Sequence, residues 1–104
     1  MLRSTQHKMH PGYYEAIIQV RPRKESVLDF IRAEALRTEA QISKEISKDF
    51  GFDVYLSSRK IALHIGKKLK KQFNGTIKVS KTLHSRDRQS SKLLYRVTVL
   101  FKLK

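Results

Sequence analysis

The sequence predicts an α+β fold, a two-layer sandwich in which two helices cover one face of a mixed four-stranded sheet, in the order β-α-β-α-β-β. Three observations support this prediction. Apolar and polar residues alternate in four segments, which is the period of a strand. Other segments repeat their apolar residues every three or four positions, as amphipathic helices do. The chain has 104 residues, a length that suits one domain with one core.

The first strand follows a polar N-terminal segment. Residues 1–12 lack any apolar period, so we predict a flexible tail before a single basic domain over 13–104. Alternation over 13–21 predicts a strand. Pro22 ends this strand, because proline has no backbone N–H to donate to a neighbouring strand.

Helical spacing of apolar residues comes next. It runs over 24–36 and continues over 39–51 through residues four positions apart, namely Ile42, Ile46 and Phe50. We therefore expect this whole region to be helical, either as one helix or with a break near Thr38. Gly51 suits the C-terminal end, because glycine readily adopts the left-handed conformation found there.

The second half contains one strand, one helix and a hairpin. A short strand is predicted over 52–57, and a helix over 58–75 that a serine hydroxyl caps. Its buried stripe comprises Ile61, Ala62, Ile65, Leu69 and Phe73. Strands over 76–83 and 93–104 then form a hairpin around a polar loop, 84–92.

Positive charge is concentrated in the second half of the chain. The net charge is +14. Residues 1–53 hold nine basic and eight acidic residues, or +1, whereas residues 54–104 hold fourteen basic residues and one acidic residue, or +13. Solubility does not require this separation, so it indicates a polyanionic partner. Nucleic acid is the leading candidate, and an anionic membrane surface is the second.

Several functional classes find no support in the sequence. The chain has no cysteine, which excludes disulfides and cysteine zinc sites and fits a reducing compartment. We expect a cytoplasmic protein without a membrane span, since no apolar run approaches about 18 residues. His7 and His10 offer only two ligands, so we expect no metal. Without paired carboxylates, a glycine-rich phosphate loop or a Ser-His-Asp arrangement, we expect no enzyme, no catalytic residues and no cofactor.

The helix over 58–75 and the loop over 84–92 are candidate RNA-binding segments. The helix has no acidic residue and six basic ones: Arg59, Lys60, Lys67, Lys68, Lys70 and Lys71. In the loop, Arg86 and Arg88 suit a phosphate backbone. The alternatives are a solvated helix whose lysine stems cover apolar surface, and a mobile turn. Ordinary surface helices mix charges of both signs, which weighs against the first alternative.

The uncovered face of the sheet is a third candidate site. Alternation places aromatic and basic residues there together with polar ones: Tyr13, Ile17, Gln19, Arg21, Tyr55, Lys78, Arg96, Thr98 and Lys102. Lys78 and Arg96 are predicted RNA contacts, while Tyr13 and Tyr55 are predicted to stack on bases or to dock a protein. Packing of this face against another domain is an equally weighted alternative.

Three segments together resemble a known family: YYEAIIQVRP (13–22), GFDVYLSSRKIALHIGKKLKKQF (51–73) and KVSKTLHSRDRQSSKLLYRVTVLFKL (78–103). They are similar to the central region of the large-ribosomal-subunit export adaptor family, named historically for nonsense-mediated decay. A Gly-x-Asp-x-Tyr-x-Ser-Ser-Arg block before the lysine helix, then Ser-Lys-x-Leu and Tyr-Arg-x-Thr, carry the resemblance over about 90 residues.

The resemblance implies a ribosome-associated function. Members of that family bind the nascent large subunit late in maturation, contact ribosomal RNA and have no known enzymatic activity; eukaryotic members shuttle between nucleus and cytoplasm and recruit an export receptor through a C-terminal tail. Here the family's Cys-x-x-Cys zinc region and that tail are absent. We therefore expect a middle domain whose partners are ribosomal RNA on the large subunit and the other domains of a longer protein. The alternative function is a scaffold whose open sheet face docks a neighbouring domain or a ribosomal protein.

Overall fold

The computed structural model describes residues 13–86 and 93–104, so the predicted tail lies outside the described residues. The described elements are β1 (Ala16–Arg21), α1 (Glu25–Arg37), β2 (Ile42–Lys48), β3 (Gly51–Leu56), α2 (Arg59–Gln72), β4 (Gly75–Arg86) and β5 (Leu93–Leu103). The predicted class, α+β with two helices and a mixed sheet, is confirmed. The predicted strand number and element order are wrong, because the sheet has five strands in this part of the chain.

The strand order in the sheet is β2-β3-β1-β5-β4. Only β1 and β5 pair in parallel, and every other neighbouring pair is antiparallel. These directions mean that each helix connects two strands that point the same way but are not neighbours. Helix α1 leads from β1 to β2 across β3, and α2 leads from β3 to β4 across β1 and β5. Strands β2 and β4 are therefore the two edges.

A single core lies between the helices and one face of the sheet. Its fully buried residues come from the three central strands and both helices. Val97, which alternation assigns to the core, is 1% exposed and pairs with Ala16 in β1. The predicted strand register is therefore confirmed for β5 and for β1 from Ala16 onward. Both helices cover the same face, and none of the described elements covers the other face, which we call the open sheet face.

The predicted helical continuation over 39–51 is wrong, since α1 ends at Arg37. The chain reverses there in a Schellman motif, in which Ala40 N–H donates to Ala35 O at 3.0 Å and Glu39 N–H donates to Leu36 O at 3.3 Å. Glu39 has a φ of 63°, which is the left-handed conformation that this motif requires. The helix therefore ends without a glycine, the residue that usually indicates a helix C-terminus in a sequence.

Residues 42–48 form the edge strand β2 instead of a helix. A bulge between Ile42 and Lys44 shifts the pairing register, so Ile42 packs toward the core while Ile46 lies on the open face. The bulge breaks the period of two, and the remaining four-residue spacing imitates a helix.

Gly51 begins β3 rather than ending a helix. A Cβ there would lie 2.0 Å from Val20 O, so only glycine permits this approach of β3 to β1.

Helix α2 agrees with its sequence-based description. Ser58 caps it, because its Oγ accepts a hydrogen bond from Ile61 N at 3.2 Å. The expected close packing of Gly66 on the sheet is confirmed: a Cβ at this position would lie 2.9 Å from Val99 Cγ1. The hairpin that follows is longer than predicted, because β4 runs over Gly75–Arg86 instead of 76–83, whereas β5 begins at Leu93 as predicted.

Candidate nucleic-acid interface

Four exposed lysines form one surface on α2, which we call the α2 lysine surface: Lys60, Lys67, Lys70 and Lys71. Three of them, together with His64, follow the helical spacing i, i+4, i+7, i+11, so they form a row along the helix. The opposite side of α2 is fixed in the core through Ala62, Ile65 and Leu69, each of which is 0% exposed. Burial of this stripe turns the lysine row outward.

The α2 lysine surface carries uncompensated charge. Helix α2 contains no acidic residue, and within residues 13–86 and 93–104 none of the four lysines forms an ion pair. A groove of about 750 Å³ lies between this helix and the edge strand, lined by His64, Lys67, Lys68, Lys70, Lys71 and Ile77. Each exposed lysine can therefore replace the counterion of a phosphate.

Lys68 differs from its neighbours because it faces α1. Its Nζ lies 2.8 Å from Glu34 Oε1, and Glu34 also pairs with Arg37 at 2.7 Å. Hydrogen bonds from Arg37 and Lys68 lower the pKa of Glu34 to about 2. Lys68 is thus a contact between the helices, and its charge is partly compensated. No local pattern in the sequence indicates this pair, because 34 residues separate its partners.

Arg59 connects the start of α2 to the neighbouring strands. Its Nη1 donates to Tyr95 O at 2.9 Å, and its backbone N–H donates to Glu15 Oε1 at 3.1 Å. The predicted RNA contact at this position therefore already has a structural role, in which it holds β5 against the helix. Lys60, one position further along, is exposed.

The open sheet face is the second basic surface. The registers place six basic residues on it, one or two from each strand except β3: Arg21, Lys44, Lys48, Lys78, Arg96 and Lys102. The acidic residue on this face in the described part of the chain, Asp53, is 4% exposed and pairs with Arg21 at 2.8 Å and Lys48 at 3.1 Å. The face therefore presents net positive charge to solvent.

An aromatic cluster lies at one end of the open sheet face. The rings of Tyr14 and Tyr55 meet edge to face, with their centroids 4.8 Å apart. The Arg96 guanidinium stacks 3.9 Å from the centroid of Tyr14, and Lys44 Nζ lies 4.6 Å from that of Tyr55. The predicted positions of Tyr55 and Arg96 on this face agree with the register.

Tyr13 does not lie in this cluster, and its predicted place on the open face is wrong. Its hydroxyl donates to the Glu15 carboxylate, which in turn accepts from the start of α2. Burial and the hydrogen bond to Glu15 raise the pKa of Tyr13 to about 12. Regular pairing begins only at Ala16 after a bend, so alternation cannot be extended back to the two tyrosines. Tyr14 occupies the place that the sequence assigned to Tyr13.

The structure divides the predicted contacts between two surfaces. The helix lysines lie over the core, whereas Tyr55, Lys78 and Arg96 lie on the opposite face of the sheet.

Arg88 and the side chain of Arg86 fall outside the described residues, as do His7 and His10. In the described ranges, no group of three or more His, Cys, Asp or Glu could hold a metal ion. No helix there is long and apolar enough to cross a membrane.

Comparison with known proteins identifies the family. Residues 13–103 match the family model for the second domain of NMD3. The match covers nearly all of the chain and confirms the resemblance seen in the motifs of β3, α2 and the hairpin. A search of curated proteins finds no significant match. The chain therefore belongs to the NMD3 family through that family's second domain, and this membership indicates a role related to ribosome biogenesis.

Proposed function

We propose that this domain is a non-enzymatic module that binds large-subunit ribosomal RNA during subunit maturation and export in the cytoplasm, with nuclear shuttling in a eukaryote. The observation that carries the proposal is the α2 lysine surface. Its four lysines are exposed, lie on one side of one helix and have no acidic residue beside them on that helix. Family membership supports the ribosomal subunit as the source of the RNA.

The burial of α2 favours RNA over an anionic membrane as its partner. A helix that lies on a membrane inserts an apolar face between the lipids. The apolar stripe of α2 is already buried against the sheet, with Ile65 and Leu69 both 0% exposed. What remains outside is charge without an apolar face, which suits a soluble polyanion.

Lysine contacts would position the RNA without reading its sequence. An ammonium group is a point charge that binds phosphate oxygens, whereas sequence is read at base edges. Such contacts suit a partner that is recognised by the shape of folded ribosomal RNA. They also make the affinity strongly dependent on salt, because each contact releases counterions.

The test is a titration of the protein with large-subunit ribosomal RNA at several salt concentrations. The variant is Lys67→Gln/Lys70→Gln/Lys71→Gln. The matched control, Lys24→Gln/Arg32→Gln/Arg37→Gln, also removes three positive charges, one at the N-cap of α1 and two within α1. We expect the α2 variant to bind more weakly, with a salt slope lowered by roughly 0.7–0.9 for each phosphate that it no longer neutralises.

The control separates a local contact from the general attraction of a basic protein. We expect the α1 variant to keep the parent's salt slope, since its arginines are already paired with carboxylates. Equal losses in the two variants would show that only net charge matters. An α2 variant that binds large subunits as the parent does, with an unchanged slope, would overturn the proposal.

A further inference from the structure

We propose that the open sheet face holds an unpaired RNA nucleotide, whose base enters a pocket beside Tyr14 and Arg96. This inference rests on the proposed function, because it assigns a second and different site to the same RNA. The pocket has a volume of about 240 Å³ and is lined by Tyr14, Ile17, Thr82, Leu83, Arg96 and Thr98. This volume is below the range of pockets for drug-sized ligands and suits a fragment of about the size of one base.

The stack of Tyr14 and Arg96 provides a surface for a base. Arg96 is held in place over the ring, because its Nη1 donates to the Tyr14 hydroxyl at 3.1 Å and its Nε donates to Tyr14 O at 3.3 Å. Proteins bind unstacked bases on aromatic rings and on guanidinium planes. A base that stacks on this half-buried guanidinium would add a third layer to the stack of Tyr14 and Arg96.

The lining of the pocket also fits the edge of a base. Ile17 is an apolar contact, while the hydroxyls of Thr82 and Thr98 can each donate or accept a hydrogen bond. Hydroxyls that serve as both donor and acceptor do not select one base over another. The site is therefore expected to take unpaired nucleotides with little sequence preference, as stacking sites usually do.

Charge on the surrounding sheet favours RNA over a protein partner. Lys44 lies beside the cluster on β2, and Lys78 lies on the same face along β4. The acid described on this face, Asp53, is buried and paired with two cations, so it does not repel phosphates. A protein partner would need a strongly acidic surface to cover the same face.

The experiment compares single-stranded and duplex RNA of the same ten-nucleotide sequence at fixed salt. The variant is Tyr14→Leu. The matched control is Tyr95→Leu, which makes the same change at an exposed tyrosine of β5 on the side opposite the open sheet face. Because the ring and hydroxyl of Tyr14 hold the Arg96 guanidinium on which the base stacks, we expect Tyr14→Leu to weaken single-strand binding roughly 5- to 150-fold. Duplex binding should stay nearly unchanged, while Tyr95→Leu changes neither.

A spectroscopic readout accompanies the affinities. The chain has no tryptophan and four tyrosines, so its intrinsic emission reports on tyrosine directly. Single-stranded RNA should quench part of this emission in the parent and in Tyr95→Leu, and less of it in Tyr14→Leu. If Tyr14→Leu does not fold, ultraviolet crosslinking of the parent to oligouridine, read by mass spectrometry, gives the answer. A crosslink in the peptide that contains Tyr14 or Arg96 is expected, and crosslinks elsewhere alone would overturn the inference.

The outcomes distinguish this inference from the proposed function. If the parent binds RNA with the full salt slope but Tyr14→Leu binds single strands equally well, the nucleotide site is wrong and the α2 lysine surface stands. If the parent binds no RNA of either kind, the proposed function fails, and this site fails with it. Binding of a protein domain to this face that is abolished in Tyr14→Leu, without RNA binding, would assign the face to protein docking.

Discussion

The two helices pack in the same core but differ in the charges on their exposed sides. Helix α1 has 13 residues and α2 has 14, and both bury an apolar stripe in the same core. On the outside of α1, Arg32 pairs with Asp29 and with Glu45 of β2, and Arg37 pairs with Glu34. On the outside of α2, the exposed lysines have no such partners in the described part of the chain.

This difference indicates that a helix can pack in this core with balanced charges on its exposed side. If solvation of a helix were the only purpose, the mixed and paired charges of α1 would serve equally well. Surface pairs of this kind add little stability, but they cancel charge that would otherwise attract ions of opposite sign. A helix that omits the acids keeps that attraction, which is why the contrast points to a binding surface.

The largest expected effect tests whether the two helices contribute equally to the stability of the core. Ile31 of α1 and Ile65 of α2 are both 0% exposed. We expect Ile31→Ala and Ile65→Ala to lower the free energy of unfolding by similar amounts, about 2–5 kcal/mol each, because each leaves a cavity in the shared core. Urea unfolding of the two variants measures this. A much smaller loss for Ile65→Ala would mean that α2 is weakly attached and present mainly for its charge.

Local pattern predicted the elements whose period is uninterrupted. In β5, six alternating apolar residues identified the buried face, and Val97 is buried as expected. In α2, a stripe at helical spacing identified the side that packs on the sheet, and Gly66 marked the close approach. These features follow from burial of one face, which sequence records directly.

Interrupted periods and tertiary contacts escaped prediction. The four-residue spacing of Ile42 and Ile46 indicated a helix that does not form. These residues lie on opposite faces of β2 because of a bulge, which the spacing does not reveal. The bend before Ala16 places Tyr14 on the open sheet face, where alternation had assigned Tyr13. Sequence separation concealed the pair of Lys68 and Glu34. In each case the deciding fact is a backbone irregularity or a distant partner, neither of which changes the local pattern.

A smaller effect should separate Lys68 from its neighbour Lys67. Lys68→Gln removes one of the two cations on Glu34, and we expect it to cost less than about 1 kcal/mol of stability with little effect on RNA affinity. Lys67→Gln should leave stability unchanged and lower the salt slope of RNA binding. Thermal melting and RNA titration of the two single variants provide both measurements.

The opposite pattern would change the interpretation of α2. If Lys68→Gln weakened RNA binding as much as Lys67→Gln does, the ion pair with Glu34 would have to open when RNA binds. If neither variant altered binding, the α2 lysine surface would be a solvated face, as α1 is.

The smallest effect concerns acid stability, which only the paired helix should show. Arg37 and Lys68 lower the pKa of Glu34 to about 2 from its ordinary 4.5. A carboxyl whose pKa is lower in the folded state adds stability above its unfolded pKa and loses it as the pH falls through the folded value. We therefore expect Glu34 to contribute fully above about pH 4.5 and to lose that contribution between there and about pH 2. Arg32 lowers the pKa of Glu45 in the same direction.

Glu34→Gln measures this contribution by thermal melting between pH 7 and pH 2.5. The variant should be slightly less stable than the parent at pH 7, and its stability should fall less steeply below pH 4.5, because one carboxyl no longer titrates. The decline persists in part, since Glu45 still titrates. Added salt should reduce the difference between the two proteins, because the pairs are near the surface. Glu39→Gln, which removes an exposed carboxylate just beyond the end of α1, is the control for the loss of one negative charge. If Glu34→Gln and the parent lost stability equally steeply below pH 4.5, the charges of α1 would be as uncoupled from the fold as those of α2.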